Sequence, residues 1–168
     1  SLLYPSSAMG AHVSACPNHQ TGRTTPFETR GIVAMAGTFG YELDLNKLDE
    51  AECDIVRRQI ADYHRYNHII AQGTLYRLAK AGETNPITAW EHVSADRSEA
   101  LVSCVQPRNV PNGPLNHVRL RGLEPETLYE LAGDGRRFLG DTLMKAGLPL
   151  PRVEHDGCGW QFYFKAVK

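Results

Sequence analysis

The sequence predicts an α/β segment followed by an all-β antiparallel sandwich, with the change falling near Gly73. Three observations carry this. Before Gly73, short apolar runs alternate with helical periods, and a strand–helix–strand–helix order is the pattern of parallel sheets with crossover helices. After it, six short runs rich in Val, Leu, Tyr, Phe and Trp are separated by clusters of turn formers, as in a sandwich. The length of 168 residues has room for one ordinary domain or two small ones.

The first strand is read over residues 9–15, a small-residue run lying between Pro5 and Pro17 and consistent with burial on both faces. Loop formers fill residues 16–23. Thr25 is placed as the N-cap of a short helix, with Pro26 at its first position and Glu28 in its first turn. Phe27, Ile32, Val33 and Met35 supply its apolar residues, and Gly37 ends it. Residues 38–45 alternate and predict a second strand. Asp49 and Glu52 form a capping box for a longer helix. Its inward stripe is predicted as Cys53, Val56, Ile60 and Tyr63, with the helix running to about Ala71 and stopping at Gly73.

The later strands are expected at 74–78, 88–93, 99–106, 117–121, 128–132 and 161–167. Turns are expected at 82–86, 95–98, 107–114 and 133–135, and a turn of helix at 143–148 closed by Gly147-Leu148-Pro149.

Composition narrows the function. Eighteen Lys and Arg balance nineteen Asp and Glu, a net charge of −1, which leaves no basic footprint for a phosphate backbone and argues against a nucleic-acid partner. Hydrophobic residues at 42% and charged residues at 22% are those of a folded domain rather than a disordered chain. No apolar run approaches the roughly 18 residues of a membrane-spanning helix, so no membrane partner is expected. The start at Ser1-Leu2-Leu3 lacks a basic n-region and lies within an apolar segment, which reads as a piece of a longer chain. Cys16, Cys53, Cys104 and Cys158 are scattered, without a C-x-x-C pair. Reduced thiols and a cytoplasmic location are expected.

Several groups invite chemistry. His64 and His68 stand four apart on the long helix, on one face. Zinc proteases place Glu directly after the first His, where this chain has Arg65, and no third ligand is in view. A solvated helix face is favoured, no metal is expected, and His12 is read as structural. Glu42 and Asp44 are two apart on a predicted strand and would point the same way. Glycosidases place their two carboxylates on opposite sides of the scissile bond, so this pair is read as structural. Gly133-Asp134-Gly135 lacks the phosphate-loop pattern and reads as a hairpin turn. Trp90 and Trp160 would suit sugar stacking, but both sit in strand patterns, and core or interface positions are favoured.

The loop from Ser14 to Arg23 is the most informative stretch. It follows a strand and precedes a helix, and in parallel α/β folds that strand end faces the ligand. Ser14, Asn18, His19, Gln20, Thr21 and Arg23 make it dense in hydrogen-bonding groups. An ordinary loop would be equally polar, so the residues alone leave both readings open.

Here the sequence meets a resemblance. Met9-Gly-Ala-His-Val-Ser-Ala-Cys-Pro-Asn-His-Gln-Thr-Gly-Arg23, with Phe27-Glu-Thr-Arg-Gly-Ile-Val-Ala-Met-Ala-Gly37 and Phe39-Gly-Tyr-Glu-Leu-Asp-Leu45, resembles a signature stretch of the glycoside hydrolase family 36 α-galactosidases. Weaker similarity extends over the rest, including the Trp90 strand and Gly140-Asp-Thr-Leu-Met-Lys-Ala-Gly-Leu148. The resemblance implies that residues 1–72 are the last strand–helix pairs of a TIM barrel and residues 73–168 a C-terminal β-sandwich. It also implies a retaining hydrolysis of terminal α-galactosyl groups from raffinose- or melibiose-type oligosaccharides, without a cofactor. Ser14, Asn18 and His19 are then the residues expected to touch substrate. The family's nucleophile follows Lys-Trp and its acid/base lies in a Ser-Asp-x-x-Asp run. Neither motif occurs here, since Trp90 precedes Glu91 and Trp160 precedes Gln161. No catalytic residue is therefore assigned in this chain; the pair is expected upstream of Ser1, and the isolated chain is expected to be inactive. A homo-oligomer is expected. The alternative is a non-catalytic sandwich that binds carbohydrate or forms an oligomer interface, for which exposed aromatics on one sheet face would be the sign.

Overall fold

A computed structural model describes residues 3–82, 85–113, 115–153 and 155–167. The Ser1-Leu2 start, the Glu83-Thr84 centre of the 82–86 turn and Pro114 of the 107–114 turn lie outside the described residues. The chain forms two compact units, Ser1–Ala71 and Gln72–Lys168. No helix among the described residues is long and apolar enough to cross a membrane.

In the first unit, β1 (Gly10–Ser14) and β2 (Thr38–Glu42) pair in parallel, from Gly10 opposite Thr38 to Ser14 opposite Glu42. Parallel neighbours need a crossover, and α1 (Phe27–Ala34) supplies it. Val13, Phe27 and Ala34 form the buried centre, with Phe39, Tyr41, Leu43, Leu48, Ile55 and Val56 packed around them. Side chains alternate along a strand. Val13, Phe39 and Tyr41 therefore face the helices, while His12, Ser14 and Glu42 face the other way.

Local details differ from the expectations. Thr25 does not cap α1: the N-cap is Pro26, which has no hydrogen-bonding side chain to offer. The helix buries Phe27, Thr29, Gly31 and Ala34, while Val33 is half exposed. The reason lies on α2 (Glu50–Gln72). There Gln59 is buried, donating from Nε2 to the Phe27 carbonyl at 3.1 Å and accepting at Oε1 from the Tyr41 hydroxyl at 2.9 Å. A Cβ on Gly31 would collide with this amide. The inward stripe of α2 includes Gln59, Tyr66, Ile69 and Ile70, and Ile60 turns outward. Its capping box is present: Glu52 N donates to Asp49 Oδ1 at 2.8 Å and Asp49 N to Glu52 Oε2 at 3.3 Å. The second strand stops at Glu42. Asp44 instead caps a 3-10 turn at Leu45–Lys47, accepting from Asn46 N. Glu42 and Asp44 therefore do not share a strand face.

In the second unit, β3 (Thr74–Ala79), β4 (Thr88–Val93), β5 (Glu99–Gln106), β7 (Leu128–Leu131), β8 (Arg137–Leu139) and β10 (Cys158–Ala166) form one antiparallel sheet in the order β3-β4-β5-β10-β7-β8. A two-stranded ribbon of β6 (His117–Val118) and β9 (Leu148–Pro149), with α3 (Gly140–Lys145), belongs to the opposing layer. Val118, Leu120, Leu123, Leu143, Leu148 and Leu150 meet Ala89, Val102, Cys104, Tyr129 and Phe164 of the sheet in a single core. Removing that apolar area from water is the main stabilising contribution.

The expected strand at 117–121 keeps only its first two residues in a ladder. Beyond them, Leu120 N bonds the Leu143 carbonyl at 3.1 Å and Arg121 N the Glu91 carboxylate at 2.5 Å. Strands β8 and β9 were not expected; they are two or three residues long, and one contains Pro149. Residues 133–135 do form the hairpin turn, with Asp134 Oδ1 accepting from Arg136 N at 2.9 Å. Gly147, at a φ of +92°, follows α3 in the left-handed conformation that an L side chain resists. All four cysteines are free.

Glu91 is the anomaly of this core. It is fully buried, Oε1 is held by Arg121 N, and Oε2 has no partner among the described residues. Burial pushes its carboxyl up to about 8, against the pull of the Arg121 N–H.

Candidate functional site

β1 ends at Ser14, and the chain then turns through Cys16 and a cis bond to Pro17 before reaching α1. The loop is organised from within. Asn18 Oδ1 accepts from Gln20 N at 3.1 Å, Thr21 N at 3.0 Å and Thr21 Oγ1 at 3.1 Å. Its backbone closes the turn, with Asn18 N donating to the Arg23 carbonyl at 2.9 Å and Gly22 N to the Asn18 carbonyl at 2.8 Å. This is the asparagine side chain imitating a backbone turn. Because Oδ1 is occupied three times, the Asn18 amide nitrogen is the side-chain group left for an outside partner.

Both ends of the loop are fixed by Arg30 of α1. Its Nη1 donates to the Ser14 carbonyl at 2.5 Å and its Nε to the Thr25 carbonyl at 3.1 Å. The guanidinium also lies 4.3 Å from the centre of the Phe27 ring, a cation–π contact that orients it. Cys16 Sγ donates weakly to the Thr25 carbonyl at 3.7 Å.

A cleft of about 630 Å³ opens beside this loop, within the size range of small-ligand sites. Ser14, Asn18, Gln20, Thr21 and Arg23 line it, together with His12 of β1 and Thr29 of α1. Ser14 and Asn18 are thus brought together, whereas His19 does not line the cleft and lies exposed on the turn. His12 takes a partner the sequence reading did not provide: its Nε2 lies 2.5 Å from Glu42 Oε2, across the parallel strands. The offset of two residues in the register places the two side chains side by side on the face away from α1.

The other candidates are not gathered into sites. His64 and His68 are exposed on α2, and no cluster of three or more potential metal ligands exists among the described residues. Trp160 is opposite Cys104 and packs into the sandwich core, while Trp90 is opposite Ser103 and so faces the other side of the sheet. The two tryptophans therefore form no common stacking platform. Arg30 and Gln59 were missed because neither follows a motif. Their importance depends on what the fold places beside them.

Two family models match the chain: Melibiase over residues 1–73 and the glycosyl hydrolase family 36 C-terminal domain over residues 87–164. Among curated relatives, the bifunctional alpha-galactosidase/sucrose kinase AgaSK of Mediterraneibacter gnavus is 48% identical over the whole of this chain and 18% of its own length. Alpha-galactosidase AgaA of Geobacillus stearothermophilus is also 48% identical over the whole chain and 23% of its own length. This chain therefore spans about a fifth of the relatives it matches. Among solved structures, alpha-galactosidase AgaB from Geobacillus stearothermophilus superposes with a TM-score of 0.93 at 48% identity, covering 99% of this chain and 23% of that one. An AgaA variant in complex with raffinose superposes with a TM-score of 0.94 at 47% identity, with the same coverage. The α/β unit and the antiparallel sandwich are those of these structures, and the chain belongs to glycoside hydrolase family 36, with a Melibiase segment followed by the family's C-terminal domain.

Proposed function

We propose that this chain works as part of a retaining α-galactosidase that removes terminal α-galactosyl groups from raffinose-type oligosaccharides. The observation that carries this reading is the polar cleft at the end of β1, in a chain 47% identical to a protein solved with raffinose. Ser14 and the amide nitrogen of Asn18 contribute hydrogen bonds to sugar hydroxyls, whereas His19, which does not line the cleft, is given no contact with the sugar. Arg30 positions them by holding both ends of the loop.

In a retaining mechanism one carboxylate attacks the anomeric carbon while the other protonates the leaving oxygen, then activates water. Neither role is given to a carboxylate of this chain. Glu42 is engaged by His12, and Asp44 caps a turn. The contribution of these residues is orientation of the sugar, which lowers the entropic part of the barrel enzyme's barrier. Two or more copies of the complete enzyme associate in this reading, in the cytoplasm.

The test is hydrolysis of a nitrophenyl α-galactoside. The complete enzyme carrying this segment is expected to release nitrophenol with retention at the anomeric carbon, and the 168-residue chain alone to release none. Turnover by the chain alone overturns the division of labour; inversion overturns the mechanism.

A further inference from the structure

A second cleft lies wholly within the sandwich unit, between the loop that follows β5 and the segment that follows β9. We infer that it is a binding site for a neutral, polyhydroxylated ligand, a mono- or oligosaccharide, separate from the cleft at the end of β1. Its volume is about 480 Å³, within the range of small-molecule sites.

The wall is built rather than incidental. Asn109 makes three side-chain bonds: Oδ1 accepts from Gln106 Nε2 at 3.1 Å and from Val110 N at 3.0 Å, and Nδ2 donates to the Val153 carbonyl at 3.0 Å. Its own N–H donates to Asp156 Oδ1 at 2.6 Å. These bonds tie the two sides of the cleft together and fix the Gln106 amide. Gln106 is 4% exposed and lines the cleft. Its Nε2 is used, which leaves Oε1 as an acceptor on the cleft wall that is open to solvent or to a ligand.

Three more polar side chains line the same space, Asn112, Asn116 and Arg152, and among the described residues none of them has a side-chain hydrogen-bond or ion-pair partner. Asn112 is held in the left-handed region at φ +54°. Pro86, Pro111 and Pro151 add apolar surface.

This set of groups selects the ligand class. Gln106 Oε1 can only accept, so its partner must bring a donor. A sulfate ion brings none, whereas a hydroxyl both donates and accepts. The Asn amides likewise offer both roles, Arg152 donates, and proline rings suit the C–H faces of a sugar. Among the described residues no carboxylate lines the cleft.

The test is titration of the full 168-residue chain, labelled with ¹⁵N, with raffinose as the neutral sugar and sodium sulfate as the anion. Saturable shifts of the Gln106, Asn112 and Asn116 side-chain amides are expected with raffinose, in the millimolar range, and none with sulfate. Arg152→Ala with Asn116→Ala is expected to weaken the response about tenfold, while the dispersion of the remaining signals reports an intact fold. The inference is overturned if these amides stay still, if sulfate moves them equally, or if the double variant keeps the affinity. Shifts confined to residues 14–23 would likewise overturn it, while leaving the β1-end cleft as a sugar site.

Discussion

Arg30 Nη1 donates to the Ser14 carbonyl at 2.5 Å. A helix residue thereby sets the position of the last residue of β1, and its Nε bond to the Thr25 carbonyl at 3.1 Å sets the far end of the same loop. The loop is a closed bracket with Arg30 as its clasp, which is why polar residues without secondary structure keep a defined arrangement.

Replacing Arg30 with Lys retains the charge but not the planar fork that reaches two carbonyls. Arg30→Lys is expected to lose about 1–2 kcal/mol of stability, read by urea denaturation, and to make the 15–25 segment more susceptible to proteolysis. Unchanged stability and unchanged cleavage would show that the loop holds itself.

Gly31 and Gln59 are predicted to be coupled. A methyl group at Gly31 meets the Gln59 amide, which already bonds the Phe27 carbonyl and the Tyr41 hydroxyl. Helix propensity favours Gly31→Ala by about 1 kcal/mol, but overpacking a filled site costs roughly 1–3 kcal/mol, and one buried and one partly buried hydrogen bond are strained as well. The single variant is expected to be destabilised on balance. Adding Gln59→Ala should make the pair less destabilising than the sum of the two singles. Strict additivity in chemical denaturation would contradict the contact.

Glu91 gives a pH dependence with a definite sign. Its carboxyl is near 4.5 when unfolded and about 8 when folded. Between those values the folded chain carries a proton that the unfolded chain has lost. Stability from this group is therefore full below pH 4.5 and falls as pH rises, by up to about 1.4 kcal/mol per unit, levelling off above pH 8. Glu91→Gln should remove that slope, so its advantage over the parent grows from pH 5 to pH 8. A constant difference across the range would rule out an internal protonated carboxyl.

The strand β1 pairs only with β2 among the described residues. Unpaired strand edges template association, so the isolated chain is expected to self-associate as its concentration rises. Sedimentation showing a monomer at high concentration would contradict this.

Much of the fold was legible because it rests on local signals. The Asp49–Glu52 box, the Gly147 stop and the turn at Asp134 each depend on residues within a few positions of one another, and each is present. The phase of α2 was misread because Gln59 is buried and Ile60 is not; a polar residue satisfied by partners 18 and 32 positions away leaves no trace in a hydrophobic pattern. The short ribbon of β6 and β9 depends on pairing across the unit rather than on propensity. At the candidate site, the density of polar residues from Ser14 to Arg23 was visible in the sequence. The clasp of Arg30 and the His12–Glu42 pair were not, since both depend on a crossover bringing distant residues side by side.

The most direct test is steady-state kinetics of the complete enzyme on raffinose, with Ser14→Ala and Asn18→Ala compared with the parent. Ser14→Ala removes one side-chain partner of a sugar hydroxyl, worth about 1–1.5 kcal/mol, so kcat/KM should fall about tenfold; Asn18→Ala removes the amide nitrogen together with the three loop bonds that Oδ1 accepts, and kcat/KM should fall at least as far. An unchanged kcat/KM in both folded variants would contradict the placement of the galactosyl group at the end of β1.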